Sequence, residues 1–283
     1  MTDDESPAPQ FSVIIPAHNE ETVIMRLLES FVPGLDHGEA QIIVVPNGCT
    51  DRTVELAKSV SAVTTLDIAV ASKSAALNAG DERASAFPRI YVDADVMLSA
   101  ETLRALAHAL AVPDARVASP TIRFVLDGRP WTVRAFHRVY ERLPYIDNAL
   151  IGHGVYGLSA SGRARFDEFP AVTADDLFVQ RLFGMHERII LDSHFVDVQT
   201  PKTLRGLLAI RTRTAYGNRQ LAALSADTHA ASTRTTISAL AKVIRADPRI
   251  VPAAGVYIAV TVTARWKARR KAAGVWQRDT STR

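Results

Sequence analysis

The chain has 283 residues, enough for one large α/β domain or a domain with an appendage. Hydrophobic residues make up 47% and charged residues 22%, the balance of a globular protein with a sizeable core, which excludes wholesale disorder. The formal net charge is +3, and Cys49 is the single cysteine, which excludes an intrachain disulfide and a zinc cluster built on cysteines.

Residues 1–10 are polar and carry Asp3, Asp4 and Glu5, and they read as a disordered N-terminus. No basic stretch followed by an apolar one opens the chain, so no signal peptide is expected and the cytoplasm is the expected compartment. Phe11 to Ile15 is an apolar run ended by Pro16, a buried strand. Glu20 to Phe31 puts Val23, Ile24, Leu27, Leu28 and Phe31 on one helical face, with Pro33 and Gly34 as the stop. Gln41 to Val45 is a second buried strand, Asn47-Gly48 the turn after it, and Asp51 a cap for a helix carrying Val54, Leu56 and Ala57. Leu66 to Val70 is a third strand, Ser74 to Ala86 an Ala-rich helix, and Arg89 to Val92 a fourth strand running into Asp93-Ala94-Asp95. Ser99 caps the next helix. Strand and helix alternating at this spacing imply a mainly parallel, Rossmann-like sheet with helices on both faces. Ligands bind such sheets at the carboxyl ends of the strands, where Pro16 to Glu20, Pro46 to Gly48 and Asp93 to Asp95 all fall.

Past Val117 the alternation blurs. Thr132 to Leu143 reads as a helix and Gly152 to Gly162 as a Gly/Ser-rich loop. Thr173 to Phe183 reads as a helix capped by Thr173, with Asp176 three positions on. Ile189 to Leu191 and Phe195 to Val198 read as short strands, followed by helices over Lys202 to Leu224 and Thr235 to Ala246. Ile250 to Ala264 is apolar and runs into the basic cluster Arg265, Lys267, Arg269, Arg270 and Lys271. It is shorter than a spanning helix needs. Two readings stand: a buried core helix, or an interfacial anchor with Trp266 and the basic cluster at lipid headgroups. The basic end itself suits either an anionic membrane surface or polyphosphate, or is simply solvated.

Three groups carry chemistry. Asp93 and Asp95, at the end of a buried strand, suit Mg²⁺ or Mn²⁺, which takes one or two carboxylates and completes its sphere with phosphate oxygens and water. Asp175 and Asp176 at a helix start serve either the helix dipole or as a general base. Lys73, before a helix, can meet a diphosphate as a point charge. Gly152-His-Gly154-Val-Tyr-Gly157 spells a dinucleotide fingerprint, but it follows a helical pattern instead of a strand and opens no helix, so we discount it. His194 is a candidate third metal ligand or a structural histidine. No basic patch interleaved with aromatics marks the body, so nucleic acid is not an expected partner.

The stretches Val13 to Glu20, Ile42 to Asp51, Lys73 to Gly80, Tyr91 to Asp95 and Ala174 to Asp176, in this order and spacing, resemble the family-2 glycosyltransferases, inverting enzymes with a GT-A fold. The resemblance covers roughly residues 11–220. Beyond its reach, residues 226–283 read as a helical extension, with peripheral membrane contact as one role that the apolar and basic segment suggests. The resemblance implies a nucleotide-binding half over 11–115 and an acceptor half over 116–225. It implies that Pro16, His18, Glu20 and Asn47 line a nucleoside pocket, that Asp93 and Ala94 contact the nucleotide, that Asp95 with Asp93 holds the metal, and that Lys73 faces the diphosphate. Asp176 would be the base, the Gly152–Gly157 loop part of an acceptor floor, and Arg211 and Arg213 basic groups closing over phosphates. The implied partners are a nucleotide-sugar donor and a hydroxyl acceptor, a glycan or a lipid-linked one. Two positions depart from the pattern. Pro46 stands where the family usually has the Asp that helps read the base, so uridine is not implied, and His18 stands for its common tyrosine. Two other readings are open: a sugar nucleotidyltransferase, which would want a Gly-rich, Arg-containing loop where Ala17-His-Asn-Glu stands, and a non-catalytic binding or scaffold protein on the same fold.

Overall fold

The computed structural model describes residues 8–143, 154–172, 174–224 and 233–270. Residues 1–7 of the expected disordered terminus, Gly152 and His153 of the expected loop, the expected cap Thr173, and Lys271 lie outside the described residues. The chain forms two compact units. The first comprises residues up to Arg123, Gly152–Ala171 and Leu182–Val198, and the second Phe124–Ile151, Val172–Arg181 and Gln199 onward.

The first unit is built on a seven-stranded sheet in the order β3-β2-β1-β4-β6-β5-β7. Its strands are β1 (Phe11–Ala17), β2 (Ala40–Pro46), β3 (Val63–Thr65), β4 (Arg89–Val92), β5 (Val117–Val125), β6 (Val155–Leu158) and β7 (Arg188–Gln199). β1 to β4 are parallel, and β6 runs antiparallel to both β4 and β5. Every residue of β1 is buried, as expected of a strand covered on both faces. Successive side chains point to opposite faces. Phe11, Val13, Ile15 and Ala17 join one core with α1 (Ile24–Phe31), α2 (Thr53–Lys58) and α4 (Ala100–Leu110). Ile14 faces the other way, onto α3 (Lys73–Arg83), where Gly80 lets the helix press so close that a Cβ there would lie 2.4 Å from Ile14 Cγ2.

The elements that differ from expectation do so for tertiary reasons. β1 continues through Pro16, whose fixed φ suits extended backbone. α1 starts four residues late, because the Glu20 and Glu21 amides donate to Thr53 Oγ1 (2.7 Å) and Asp51 Oδ2 (3.2 Å) in the next loop. β3 is Val63–Thr65, not Leu66 to Val70, although the chain stays beside β2 as far as Ile68, whose amide donates to Pro46 O at 2.9 Å. α3 ends at Arg83 because Ser85 and Ala86 donate instead to Gln41 Oε1 (2.7 Å) and Ser12 Oγ (3.2 Å). The expected Gly152–Gly162 loop contains β6 and a short helix α6 (Ala160–Arg163). The strand forms because β4 and β5 flank it, and the glycine at 157 leaves room for Leu110 Cδ1, 2.6 Å from where a Cβ would stand. β7 is one strand of twelve residues where two short ones were expected. Ser99 caps α4 as expected, accepting from Thr102 N at 3.3 Å.

The second unit is helical: α5 (Trp131–Tyr140), α7 (Asp175–Arg181), α8 (Leu204–Leu224), α9 (Thr233–Ala246) and α10 (Val251–Arg269). One cluster joins Val133, Phe136, Val139, Leu207, Leu240 and Tyr257, with the Phe136 and Tyr257 rings stacked 5.2 Å apart. The Ile250 to Ala264 stretch is therefore helical and packs one face, Ala253, Ala254, Tyr257, Val260 and Ala264, into the protein. Among the described residues no helix is long and apolar enough to cross a membrane.

Candidate active site

The loops after β1, β2 and β4 leave the same edge of the sheet in the first unit. The first two are laced together. His18 Nδ1 lies 2.5 Å from Asn47 O. Asn19, at φ +55, places its amide against Cys49 Sγ (3.3 Å) and accepts from Thr50 N on Oδ1 (2.7 Å). That left-handed conformation is one asparagine tolerates. Asn47 is 1% exposed, and its amide nitrogen donates to Ala17 O (2.9 Å) and Val45 O (3.3 Å). Its Oδ1 is buried with no hydrogen-bond partner among the described residues. Gly48 follows at φ +57, and a Cβ on it would stand 2.9 Å from the Ala71 backbone. The Asn-Gly turn is thus imposed by both dihedral and space. Pro16 is buried, while His18 and Glu20 are half-buried on this loop pair.

The β4 loop carries Asp93, buried Ala94 and Asp95, with both carboxylates half-buried. Ser72 caps α3, accepting from Ala75 N at 3.3 Å, which sets Lys73 at the first helical position. Lys73 Nζ lies 2.7 Å from Asp93 Oδ1. So two residues that the sequence could only suggest separately, a lysine for the diphosphate and a carboxylate for the nucleotide, form an ion pair. Being partly exposed, the pair contributes about 0–1 kcal/mol to stability. Its interest is positional, because it holds a cation beside the strand-end carboxylates.

Gly154, in the loop that the resemblance gives to the acceptor floor, abuts this group. Its carbonyl accepts from Asp93 N at 2.7 Å. It sits at φ +64, and a Cβ would stand 2.5 Å from Val96 Cγ1 and 3.4 Å from Asp93 Cβ. Glycine is required by conformation and by contact, a signal no single-sequence pattern carries. His194 does not join the carboxylates. No group of three or more His, Cys, Asp or Glu able to hold a metal occurs among the described residues. A donor set of two aspartates fits a hard cation that fills its sphere with phosphate oxygens and water, not a structural zinc site.

The remaining expected residues belong to the second unit. Asp175 is buried and Asp176 half-buried at the start of α7, where Asp176 Oδ1 accepts from Leu177 N at 2.7 Å. Arg211 lies over the rings of Tyr140 (4.9 Å) and Phe136 (5.6 Å), a packed guanidinium. Arg213 is half-buried on α8.

Comparison with known proteins gives one family model, described as glycosyl transferase family 2, matching residues 12–168. No curated protein sequence matches. Among solved structures, the mannosyltransferase PcManGT from Pyrobaculum calidifontis, in complex with GDP-Man and Mn²⁺, superposes with a TM-score of 0.60 at 23% identity, covering 92% of this chain and 76% of that one. Glucosyl-3-phosphoglycerate synthase from Mycobacterium tuberculosis, in complex with Mn²⁺, UDP and glucosyl-3-phosphoglycerate, gives 0.52 at 19% identity over 73% of this chain and 78% of that one. TarS 1–349 from S. aureus, in complex with UDP-GlcNAc, gives 0.50 at 16% identity over 92% of each chain. At these identities the likeness is one of fold, and the fold is of the GT-A type.

Proposed function

Because the chain belongs to glycosyl transferase family 2, and is therefore a glycosyltransferase, we propose that it moves a sugar from a nucleotide-diphosphate sugar to a hydroxyl acceptor, a glycan or a lipid-linked one, with inversion and with a divalent cation. The observation that carries this reading is the convergence at one sheet edge of the laced His18–Asn47 loops and the Lys73–Asp93 pair beside Asp95. The solved structures with this fold include complexes with GDP-Man and Mn²⁺ and with UDP-GlcNAc, which supports the donor class.

In this reading the nucleoside lies over His18 and the Asn47-Gly48 turn, with Glu20 at its edge. Asp95, with Asp93, would hold Mg²⁺ or Mn²⁺, which supplies positive charge against the diphosphate. Lys73 adds a second cation there, so that charge building on the leaving diphosphate is offset where it develops; for Arg213 the reading keeps the phosphate-closing role that the family resemblance implies. Asp176 takes the acceptor's proton while the hydroxyl attacks the anomeric carbon on the face opposite the leaving group. One displacement inverts the configuration, and no covalent nucleophile is needed. With Pro46 at the end of β2 there is no carboxylate at that position to read a uracil edge, so the base is recognised by other groups.

The test is donor binding. A calorimetric panel of nucleotide-sugars with and without Mn²⁺ should reveal at least one donor whose binding needs the metal, and Asp95→Ala should lose that binding with the fold intact by circular dichroism. Undiminished binding in Asp95→Ala, or in excess chelator, removes the metal from the reading. No binding across the panel removes the donor class.

A further inference from the structure

The chain's positive charge is gathered at its C-terminal end. Residues 233–270 hold eight Lys and Arg and one carboxylate, Asp247, which is itself paired with Arg142 at 2.9 Å and Arg138 at 3.7 Å. Within that stretch α10 has a second apolar face besides the buried one. Val251, Ile258, Val262 and Trp266 are 51%, 46%, 61% and 49% exposed. At about 100° per residue, these four fall within an arc of roughly 80°, opposite the side occupied by Tyr257, Val260 and Ala264. Gly255 lies in the same arc with open space where a Cβ would stand, so nothing in the described protein covers it. A row of large apolar side chains on the outside of a helix marks an interaction surface.

The order of residues along the helix says what kind. The apolar row ends at Trp266, an amphipathic ring of the sort that settles at headgroup level. Arg270 lies over that ring, 3.8 Å from its centroid. Arg265 and Arg269 continue the exposed face, and no Asp or Glu occurs from 248 to 270. Apolar row, indole, then cations is the sequence of environments met along a helix lying in an anionic lipid interface, where apolar burial and phosphate attraction add. A second copy of the chain offers this face the same cations, which repel. The helix does not span a bilayer; it would lie along one.

We propose that the outward face of α10 docks this protein on an anionic lipid bilayer. The inference stands on the helix alone and does not depend on the donor or mechanism argued above. The experiment is sedimentation of the full chain with vesicles of phosphatidylcholine, with and without phosphatidylglycerol. Binding is expected only to the phosphatidylglycerol vesicles and should weaken as salt is raised. Val262→Asp should reduce it about tenfold or more, and Arg265→Glu with Arg269→Glu should do likewise. Both positions are exposed, so thermal midpoint and donor binding should hold. Ile258→Ser with Val262→Ser is the milder pair should the aspartate perturb folding. Absence of vesicle binding, equal binding to both vesicle types, or full binding by the Val262 variants overturns the proposal. So does a wild-type dimer, by light scattering, that Val262→Asp turns into a monomer, since the face would then belong to a protein partner.

Discussion

Two adjacent aspartates open α7, and their surroundings differ. Asp175 is buried, whereas Asp176 is half-buried and gives one oxygen to the Leu177 amide. Consecutive helical residues project about 100° apart, so both cannot face one substrate. The family pattern selects Asp176 as base. Asn keeps the shape and loses the proton acceptor, so Asp176→Asn should leave donor affinity unchanged and lower the transfer rate by roughly 10²–10⁴-fold, with Asp175→Asn costing much less in a single-turnover assay. Near-normal transfer in both variants would falsify the single-displacement mechanism, and a loss confined to Asp175 would shift the base by one residue. Gly154 gives a second residue-scale prediction. Alanine there meets Val96 Cγ1 at 2.5 Å in a left-handed conformation, costing about 1–3 kcal/mol. The relief available is a shift of the Asp93 loop. Gly154→Ala should therefore lower both the thermal midpoint and donor affinity, and a variant that keeps both would show that the loop does not depend on this contact.

At the scale of elements, α3, β4 and α6 are tied by one carboxylate. Asp81, 4% exposed on α3, accepts from Arg89 Nη1 (2.8 Å) and the Tyr91 hydroxyl (2.8 Å) on β4, and from Arg163 Nε (2.6 Å) on α6. Tyr91's hydroxyl is pushed well above its ordinary pKa, by burial first and by the Asp81 charge second, so it stays a donor. The network pins β4, and with it the loop of Asp93 and Asp95. Removing one partner of a buried ion pair strands the others, and two arginines would be left here. Asp81→Ala should destabilise by about 3–5 kcal/mol, read as a lower urea midpoint with unchanged slope. An unaltered midpoint would mean that water reaches the arginines and replaces the carboxylate.

For the whole molecule, the second unit carries a pH response. His137 is buried on α5 with Nδ1 2.9 Å from Val133 O, between the Phe124 and Phe136 rings. Burial lowers its pKa from the ordinary 6.5; the Val133 contact opposes this, and Arg211's charge adds to it. Above that ordinary value the histidine is neutral both folded and unfolded and contributes nothing to the pH dependence. As pH falls below it, the unfolded chain binds a proton that the folded chain refuses, so stability falls with acid. The thermal midpoint should drop between pH 7.5 and 5.5, and His137→Gln should show a shallower drop. Equal slopes would assign the acid sensitivity to other groups.

β1, β2 and β4 were legible because a strand buried on both faces is a continuous apolar run, and Ser99 because a cap acts on its own helix. From those runs and the polar clusters after them, the sequence by itself determined the parallel part of the sheet and the edge where its polar clusters gather. What it could not carry were features made by contact across the chain. β6 exists because β4 and β5 supply its hydrogen bonds, and it accommodates Gly157 because Leu110 fills the missing side chain's place. α1 begins late because its first amides are held by Asp51 and Thr53, about thirty residues away. Lys73 meets Asp93 only after a helix start and a strand end, twenty positions apart in sequence, are brought side by side. The apolar stretch at 250–264 carries two faces, and only packing decided which one is core. Local pattern sets what a segment prefers; contacts between distant segments set where it starts, stops and points, and those are written in no single stretch of sequence.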